Sequence, residues 1–255
     1  SRGVASKMRG GISFLMKKNK IDVIMGTATV KAGKKVTVVD AEGKSTEYSG
    51  TNIIIATGAR SRELPNLPQD GKKVIGYRQA LSLPEQPKSM IVVGSGAIGI
   101  EFADFYNAMG TKVTVVEFLP NIVPLEDEDV SKHVEKSLKK SGIEIMTNAS
   151  VESVDTSGNG VKASVKTATG NITLEADILL SAVGIASNVD GIGLEAVGIK
   201  TEKGKVLVNE WYETSVPGYY AIGDIIPTQA LAHVASAEGI TCVEKIKGLH
   251  VEAID

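Results

Sequence analysis

Apolar residues recur along the chain with two spacings, which separate predicted helices from predicted strands. Over residues 2–19 they recur at helical intervals and predict an amphipathic helix. Short β-branched runs follow, separated by glycines, and predict strands at 22–25, 28–30, 36–39, 45–48 and 52–55. The next segment contains several prolines and has the composition of an interdomain linker.

From Ser89 the pattern alternates between strands and helices. Strands are predicted at 90–93, 113–116 and 143–146, and helices at 97–108 and 128–140. Three further runs, at 150–155, 160–167 and 171–174, predict an antiparallel meander, and 177–183 predicts a buried strand. Strands at 206–208 and 219–222 and a helix at 231–247 follow. The alternation predicts an α/β fold, a doubly wound Rossmann-like domain with a three-stranded meander.

Composition narrows the function classes. The 255-residue chain has 42% hydrophobic and 23% charged residues, as globular proteins commonly do. Its formal net charge of -2 gives no electrostatic footprint for nucleic acid. No apolar run reaches the roughly 20 residues that span a membrane. No secretory signal is visible, so a cytoplasmic protein is expected.

The sequence contains a single cysteine, Cys242. One cysteine cannot form an intramolecular disulfide, a zinc site or a redox pair. The alternatives are a buried structural thiol and a reactive nucleophile, and the second needs a basic neighbourhood that the sequence does not show. We therefore expect a buried thiol and no metal site.

The strongest motif is the G-x-G-x-x-G run Gly94-Ser95-Gly96-Ala97-Ile98-Gly99. It follows a predicted strand, opens a predicted helix, and precedes a strand that ends in Glu117 roughly 20 residues downstream. Gly94 permits the tight turn, Gly96 lets the backbone approach a pyrophosphate, and Gly99 lets the helix pack on the strand. The free N–H groups and dipole of the helix N-terminus favour phosphate. The motif predicts a dinucleotide site, against the alternative of a glycine-rich turn without a ligand.

Two carboxylates near this motif have different interpretations. Glu117 can accept hydrogen bonds from ribose hydroxyls and would repel a 2′-phosphate. No arginine follows it in Phe118-Leu119-Pro120, so NAD is expected over NADP. Glu101 lies in the first turns of the predicted helix, where the residues alone indicate only a carboxylate favoured by the dipole.

Two further strand ends carry small residues, Ala56-Thr57-Gly58-Ala59 and Ala221-Ile222-Gly223-Asp224. Singly, each is an ordinary turn. With Ala182-Val183-Gly184 between them, the order A-T-G-A, G-x-G-x-x-G-x-E, A-V-G, A-x-G-D resembles that of the pyridine nucleotide-disulfide oxidoreductases. The run Ala230-Leu231-Ala232-His233, with Ala237-Glu238-Gly239 after it, is most similar to the dihydrolipoyl dehydrogenases of that family.

This resemblance implies that an NAD-binding domain, residues 89–210, is inserted into an FAD-binding domain, of which 1–88 and 211–255 are parts. It implies that Val151 and Gly184 line the NAD, and that Glu101 lies near the nicotinamide and flavin where hydride passes. The residues that would contact FAD are Ala28, Thr57, Gly58, Ala59, Asp224, Ala230, Leu231, Ala232 and His233. Because the catalytic histidine of the family lies in a later domain, His233 is interpreted as a flavin-side residue rather than a general base.

Two other histidines and one loop complete the residue-level expectations. His133, in a lysine-rich helix, and His250 are expected to be solvated. The family often has Arg-x-Pro-Asn after the A-V-G turn, and here Ile185-Ala186-Ser187-Asn188 keeps only the asparagine. The loop therefore departs from the family pattern, whereas the strand-end motifs follow it.

The implied parent enzyme would oxidise dihydrolipoyl groups and transfer hydride through FAD to NAD. It would be a homodimer that serves the lipoyl domains of 2-oxo acid dehydrogenase or glycine cleavage complexes. The family's first G-x-G-x-x-G, its C-x-x-x-x-C redox pair and its dimerisation domain have no counterpart in this sequence. We therefore expect an internal fragment that is inactive in dithiol oxidation and retains FAD poorly. The alternatives are a mercuric, glutathione or CoA-disulfide reductase, or a non-catalytic NAD-binding module.

Overall fold

The computed structural model describes residues 2–254 of the chain. These residues form two compact units. We call Ser61–Ile185 the inserted unit, and residues 2–60 with 186–254 the flanking unit. The chain passes from one unit to the other at residues 60/61 and 185/186.

The four longer helices follow the predicted spacing of apolar residues, and two helices of four residues each form where none was predicted. The helices are α1 (Arg2–Lys18), α2 (Tyr77–Ala80), α3 (Ala97–Ala108), α4 (Glu128–Lys140), α5 (Leu194–Val197) and α6 (Ala232–Ile246), with a 3-10 turn at Gly223–Ile225. The predicted bounds of α3 and α4 are confirmed. Asp127 is the N-cap of α4, and its carboxylate accepts the N–H of Asp129 and so satisfies one donor of the first turn. No helix in the described part of the chain is long and apolar enough to cross a bilayer.

The strands in chain order are β1 (Thr27–Lys31), β2 (Lys35–Val39), β3 (Ser45–Ser49), β4 (Ile53–Ile55), β5 (Ala59–Ser61), β6 (Val74–Ile75), β7 (Ser89–Val93), β8 (Lys112–Val116), β9 (Glu144–Met146), β10 (Ser150–Asp155), β11 (Val161–Thr167), β12 (Gly170–Ala176), β13 (Ile178–Ser181), β14 (Ile185–Ser187), β15 (Thr201–Glu202), β16 (Lys205–Val206) and β17 (Tyr219–Ala221). The meander predicted from three successive runs is confirmed as the sheet β10-β11-β12.

A parallel sheet with the order β6-β13-β7-β8-β9 forms the centre of the inserted unit. Met90 and Val92 of β7 pack in one core with α3 and α4 residues, while Ile91 and Val93 pack in another with the meander. Successive side chains point to opposite faces of a strand, so a strand covered on both faces is apolar throughout. Chain order reverses between β7 and β13. Ligands of doubly wound sheets bind at such a reversal, outside the carboxyl ends of the strands.

The flanking unit contains the antiparallel sheet β1-β2-β3 and the parallel pair β4-β17. Tyr219 of β17 joins these elements: its hydroxyl donates to the Lys31 carbonyl and accepts the Lys34 N–H, each at 2.6 Å. Ile55, Ala221, Ile225 and Cys242 are among the buried residues of its core. This unit therefore has its own hydrophobic centre.

The limits of the two units differ from the domain boundaries predicted at 88/89 and 210/211. The proline-bearing segment with the composition of a linker contains β6, whose Val74 and Ile75 pair with β13 and are fully or almost fully buried. On the other side, Leu194, Ile199 and Val206 belong to the core of the flanking unit. Pairing and packing of very short elements therefore place each of these segments in a compact unit that local sequence patterns do not indicate.

The strand predicted at 22–25 is wrong, because no strand forms there. Val23, Ile24 and Met25 are exposed. A β-branched run becomes a strand only where a partner satisfies its backbone groups. The predicted first helix is confirmed as α1, although none of its residues is buried.

Candidate dinucleotide-binding site

The turn between β7 and α3 is built on Gly94. Its φ of +96° lies in the left-handed region, and a Cβ there would come within 2.5 Å of the Ala182 carbonyl oxygen. The Gly94 N–H donates to the Val116 carbonyl at 2.9 Å, which ties the turn to the end of β8. The fold itself therefore requires glycine at this position.

Gly99 lets α3 lie directly on this turn. It is buried in the first turn of α3, and a Cβ there would collide with the Gly94 carbonyl. Glycine is thus needed here for close packing of the helix against the turn, as the motif predicts.

Gly96 differs from the other two glycines of the motif. It is the N-cap of α3 with φ -67° and ψ -179°, values that any residue adopts. Apart from its chain neighbours, no heavy atom of the described residues lies within 4 Å of the position its Cβ would take. Gly96 and Ala97 are exposed, and no side chain caps this helix end. The open position fits a ligand that must approach the backbone closely, as a pyrophosphate does.

The carboxylate of Glu117 lies against the glycine-rich turn. Its Oε2 accepts the Ser95 N–H at 2.8 Å and the Ser95 hydroxyl at 2.6 Å, and its Oε1 accepts the Leu119 N–H at 2.8 Å. Ser95 is 0% exposed and Glu117 is 7% exposed. The ribose-binding candidate is therefore held by three donors, two of which belong to one residue. The motif indicated Glu117 but offered no reason to single out the Ser95 side chain.

The other residues predicted for NAD differ in their location and in their exposure. Gly184 follows β13, which pairs in parallel with β7, so it lies at the same sheet edge as Gly94, with φ +105° and an exposed backbone. Val151 is the second residue of β10, and its side chain is buried in the core that includes the meander. Ile98 packs on the helical core, and Glu101 is exposed on α3. Contacts of these four residues with a nucleotide stay predictions.

The strand ends predicted for FAD meet in the flanking unit. β4 and β17 pair in parallel, with Ile53, Ile54 and Ile55 opposite Tyr219, Tyr220 and Ala221. Thr57-Gly58-Ala59 and Gly223-Asp224 therefore leave the same edge of this pair. Gly58 has φ +66°, and no described atom lies within 4 Å of the position of a Cβ there.

Bonds to a neighbouring loop fix the turn after β4. The Thr57 hydroxyl donates to the Asn188 carbonyl at 2.7 Å, and the Asn188 side-chain amide donates back to the Thr57 carbonyl at 3.0 Å. The Arg60 guanidinium donates to Asn188 Oδ1 and to Asp190 Oδ2, each at 3.0 Å. Asn188 is the residue of the family's loop pattern that this sequence keeps. No local pattern signals Arg60 or Asp190, since their partners lie over a hundred residues away.

A buried glutamate fixes the turn after β17. Glu238 of α6, 1% exposed, accepts the Gly223 N–H and the Thr228 hydroxyl, each at 2.6 Å. The Asp224 carbonyl accepts the Ser187 hydroxyl at 2.7 Å and the Lys205 ammonium at 2.6 Å. This network holds the start of α6 beside the turn, with Ala230, Leu231, Ala232 and His233 exposed. Ala28, in β1, is also exposed.

Two histidines and the single cysteine are the remaining polar residues for which the sequence gives an expectation. His133 and His250 are exposed, which confirms that they are solvated. Cys242 is 0% exposed, and burial raises the pKa of its thiol to about 11. This confirms a buried structural cysteine. Within residues 2–254, no cluster of three or more His, Cys, Asp or Glu could hold a metal ion.

The parallel sheet and this turn have the architecture of a doubly wound α/β domain with a glycine-rich strand-to-helix turn. Residues 3–239 match the family described as Pyridine nucleotide-disulphide oxidoreductase, and the chain belongs to that family. The resemblance stated from the motifs is thereby confirmed.

Curated relatives narrow the similarity further. The chain is 44% identical to a dihydrolipoyl dehydrogenase of Rhizobium etli, over 98% of this chain and 55% of the relative. It is 44% identical to that of Chlorobaculum tepidum, over 100% and 54%. The chain thus spans about half the length of the curated relatives it matches.

Two solved structures are similar in fold to nearly the whole chain. A crystal structure of LpdA from Mycobacterium tuberculosis superposes with a TM-score of 0.91 at 31% identity, over 99% of this chain and 56% of that one. The HOCl-induced flavoprotein disulfide reductase RclA of Escherichia coli, solved as a Cu(II) complex, gives 0.82 at 26% identity, over 94% and 56%.

Proposed function

We propose that this chain is the NAD- and FAD-binding portion of a dihydrolipoyl dehydrogenase. That enzyme oxidises a dihydrolipoyl group to its disulfide and delivers hydride to NAD by way of FAD. The support is the family membership, the relatives of that name at 44% identity, and a site whose residues suit NAD. The partners proposed for the whole enzyme are a second copy of itself and the lipoyl domains of 2-oxo acid dehydrogenase or glycine cleavage complexes.

The structural observation that carries the NAD-binding part of this proposal is the geometry of Gly96, while the enzyme class rests on the relatives. The backbone there does not need glycine, and the protein leaves the space of its Cβ open. A glycine with ordinary backbone angles and open space, at the N-terminus of a 12-residue helix that no side chain caps, fits a ligand that touches the backbone. Glu117 supplies the acceptor for the adenosine ribose, and Gly184 would lie along the nicotinamide half.

FAD fits the flanking unit only in part. The turn at Thr57-Gly58-Ala59 and the turn at Asp224 leave one edge of β4-β17, and Gly58 has open space above it. Bound flavin would supply the electron transfer between dithiol and nicotinamide. However, β4 and β17 form a sheet of two strands, and α1 buries none of its residues. We therefore propose that this chain keeps NAD binding and retains FAD poorly.

NADH titration of the purified chain tests this proposal. We expect saturable enhancement of NADH fluorescence, and NADPH binding that is weaker by at least ~10-fold, which corresponds to about 1.4 kcal/mol. The absorption spectrum of the chain should lack a flavin band at roughly 450 nm. ADP-ribose should displace NADH, because it carries the pyrophosphate and the adenosine ribose. If NADH fails to saturate the chain, the proposed site is wrong.

A further inference from the structure

The Ser95–Glu117 pair has more hydrogen bonds than a ribose acceptor needs. A carboxylate offers about four lone-pair positions. Three are taken in this structure, two on Oε2 by Ser95 and one on Oε1 by Leu119. Acceptor capacity for a ligand therefore remains on Oε1. The 2.6 Å bond from the Ser95 hydroxyl is the shortest of the three and is charge-assisted.

We infer that the Ser95 hydroxyl determines the selectivity of this site for NAD over NADP by fixing the orientation of the Glu117 carboxylate. The inference rests on the proposed NAD binding and adds a positioning residue to it. Two backbone N–H groups hold one oxygen each. The hydroxyl adds a second bond to Oε2, so rotation of the carboxylate would break three bonds rather than two.

Ser95 cannot move away with the carboxylate. It is 0% exposed, and its carbonyl accepts the Val123 N–H at 2.9 Å. Glu117 is fixed likewise, because its N–H donates to the Met146 carbonyl at 2.8 Å and its carbonyl accepts the Ala149 N–H at 2.9 Å. The donor and the acceptor are therefore both anchored by backbone bonds, and the hydroxyl acts between two rigid positions.

A carboxylate of fixed orientation affects the binding of NAD and the binding of NADP differently. The ribose hydroxyls of NAD meet an acceptor already in position, so less orientational freedom is lost on binding. The 2′-phosphate of NADP meets a negative oxygen that cannot rotate aside, and this repulsion acts as discrimination against it. Removal of the hydroxyl should therefore weaken the binding of NAD and reduce the repulsion of the 2′-phosphate of NADP.

The test is Ser95→Ala, measured by NADH and NADPH fluorescence titration with the thermal unfolding of each variant. We expect NADH to bind about fivefold more weakly, and NADPH equally or more tightly, so that the NADH/NADPH affinity ratio falls by about fivefold or more. Ser181→Ala is the matched control. Ser181 is also a buried serine at a strand end of the same sheet, and its hydroxyl has no partner among the described residues. The control should keep the wild-type ratio.

A double-mutant cycle with Glu117→Gln tests whether Ser95 acts through Glu117. In the Glu117→Gln background, Ser95→Ala should leave the affinity ratio unchanged. If Ser95→Ala does not fold, Ser95→Cys keeps nearly the same shape with a weak donor and should lower the ratio as well. Equal weakening of both nucleotides, or an unchanged ratio, would overturn the inference. Absence of NADH binding by the wild-type chain would refute the proposed function, and with it this inference.

Discussion

Different physical reasons account for the three glycines of the turn between β7 and α3. Gly94 has a left-handed φ of +96°, and Gly99 has no room for a Cβ beside the Gly94 carbonyl. Both serve the fold. Gly96 has ordinary backbone angles and open space, so it serves only what binds there. Stability and binding can therefore be separated by substitution within this one short turn.

We predict that Gly96→Ala folds normally and loses NADH binding. Alanine fits the Gly96 backbone but is a poorer N-cap than glycine, so the two effects oppose each other and the free energy of unfolding should change by less than about 1 kcal/mol. Its methyl group occupies the path of the pyrophosphate, and NADH affinity should fall by about 10-fold or more. Urea unfolding and NADH titration measure the two effects. Gly99→Ala is the contrast: it should lower the free energy of unfolding by about 1–3 kcal/mol. Normal NADH binding by Gly96→Ala would contradict the interpretation of Gly96.

We also predict that Cys242 does not react in the folded chain. Burial raises the pKa of its thiol to about 11, from the usual value of about 8.5. Since the folded state favours the protonated thiol, this contribution to stability is present below the unfolded pKa and is lost as the pH rises toward 11. A thiol reagent at about pH 8, just below the usual thiol pKa, should label the chain only after denaturant is added. Labelling within seconds under native conditions would show that the site opens.

At the scale of elements, α1 stands apart from the other long helices. It spans 17 residues and none of them is buried, although Val4, Met8 and Phe14 are apolar. It also contains Gly3, Gly10 and Gly11, each of which costs about 1 kcal/mol in a helix interior. Helices of this length gain most of their stability from tertiary packing.

We therefore predict that the amides of α1 exchange rapidly with solvent. Hydrogen-exchange mass spectrometry of the chain should show complete exchange of residues 2–18 within seconds. α6 is the internal control, because it has similar length and buries Glu238, Thr241 and Cys242, and it should be protected for much longer. Equal protection of α1 and α6 would mean that α1 has a packing partner in solution.

Local signals explain which elements the sequence could predict. The helices α3 and α4 carry their apolar spacing and terminal residues within their own segments, and their bounds are confirmed. β6 is a strand of two residues that exists because β13 pairs with it, so no local pattern reveals it. The candidate site divides in the same way. The glycines and Glu117 have fixed spacing, but the motif does not require a serine at the second position, so the Ser95–Glu117 bond is not signalled. The Arg60–Asn188 bond joins segments that lie over a hundred residues apart.

At the scale of the whole molecule, the inserted unit contains complete cores. Both of its hydrophobic clusters draw only on residues between Leu64 and Val183. The glycine-rich turn, Ser95, Glu117 and Gly184 lie within the same limits as the unit itself. Folding and nucleotide binding of this unit should therefore not depend on the flanking unit.

We predict that Ser61–Ile185, expressed alone, unfolds cooperatively and binds NADH as tightly as the full chain does. A fragment cut at the domain limits that the resemblance implies, 89–210, is the contrast. It lacks Leu67, Val74, Ile75 and Ala80, all 0–3% exposed, and it leaves the edge of β13 unpaired. Burial of one large aliphatic side chain contributes about 1.5–3 kcal/mol. The loss of several of them matches the stability of a typical domain, about 5–15 kcal/mol.

Urea unfolding and NADH titration of both fragments test this prediction. Fragment 89–210 should unfold without a cooperative transition or aggregate, because its sheet has lost the strand that covers one edge and the residues that fill both cores. If it is instead as stable as Ser61–Ile185, then β6 and α2 are accessory to the fold, and the prolines between residues 61 and 88 mark a true linker.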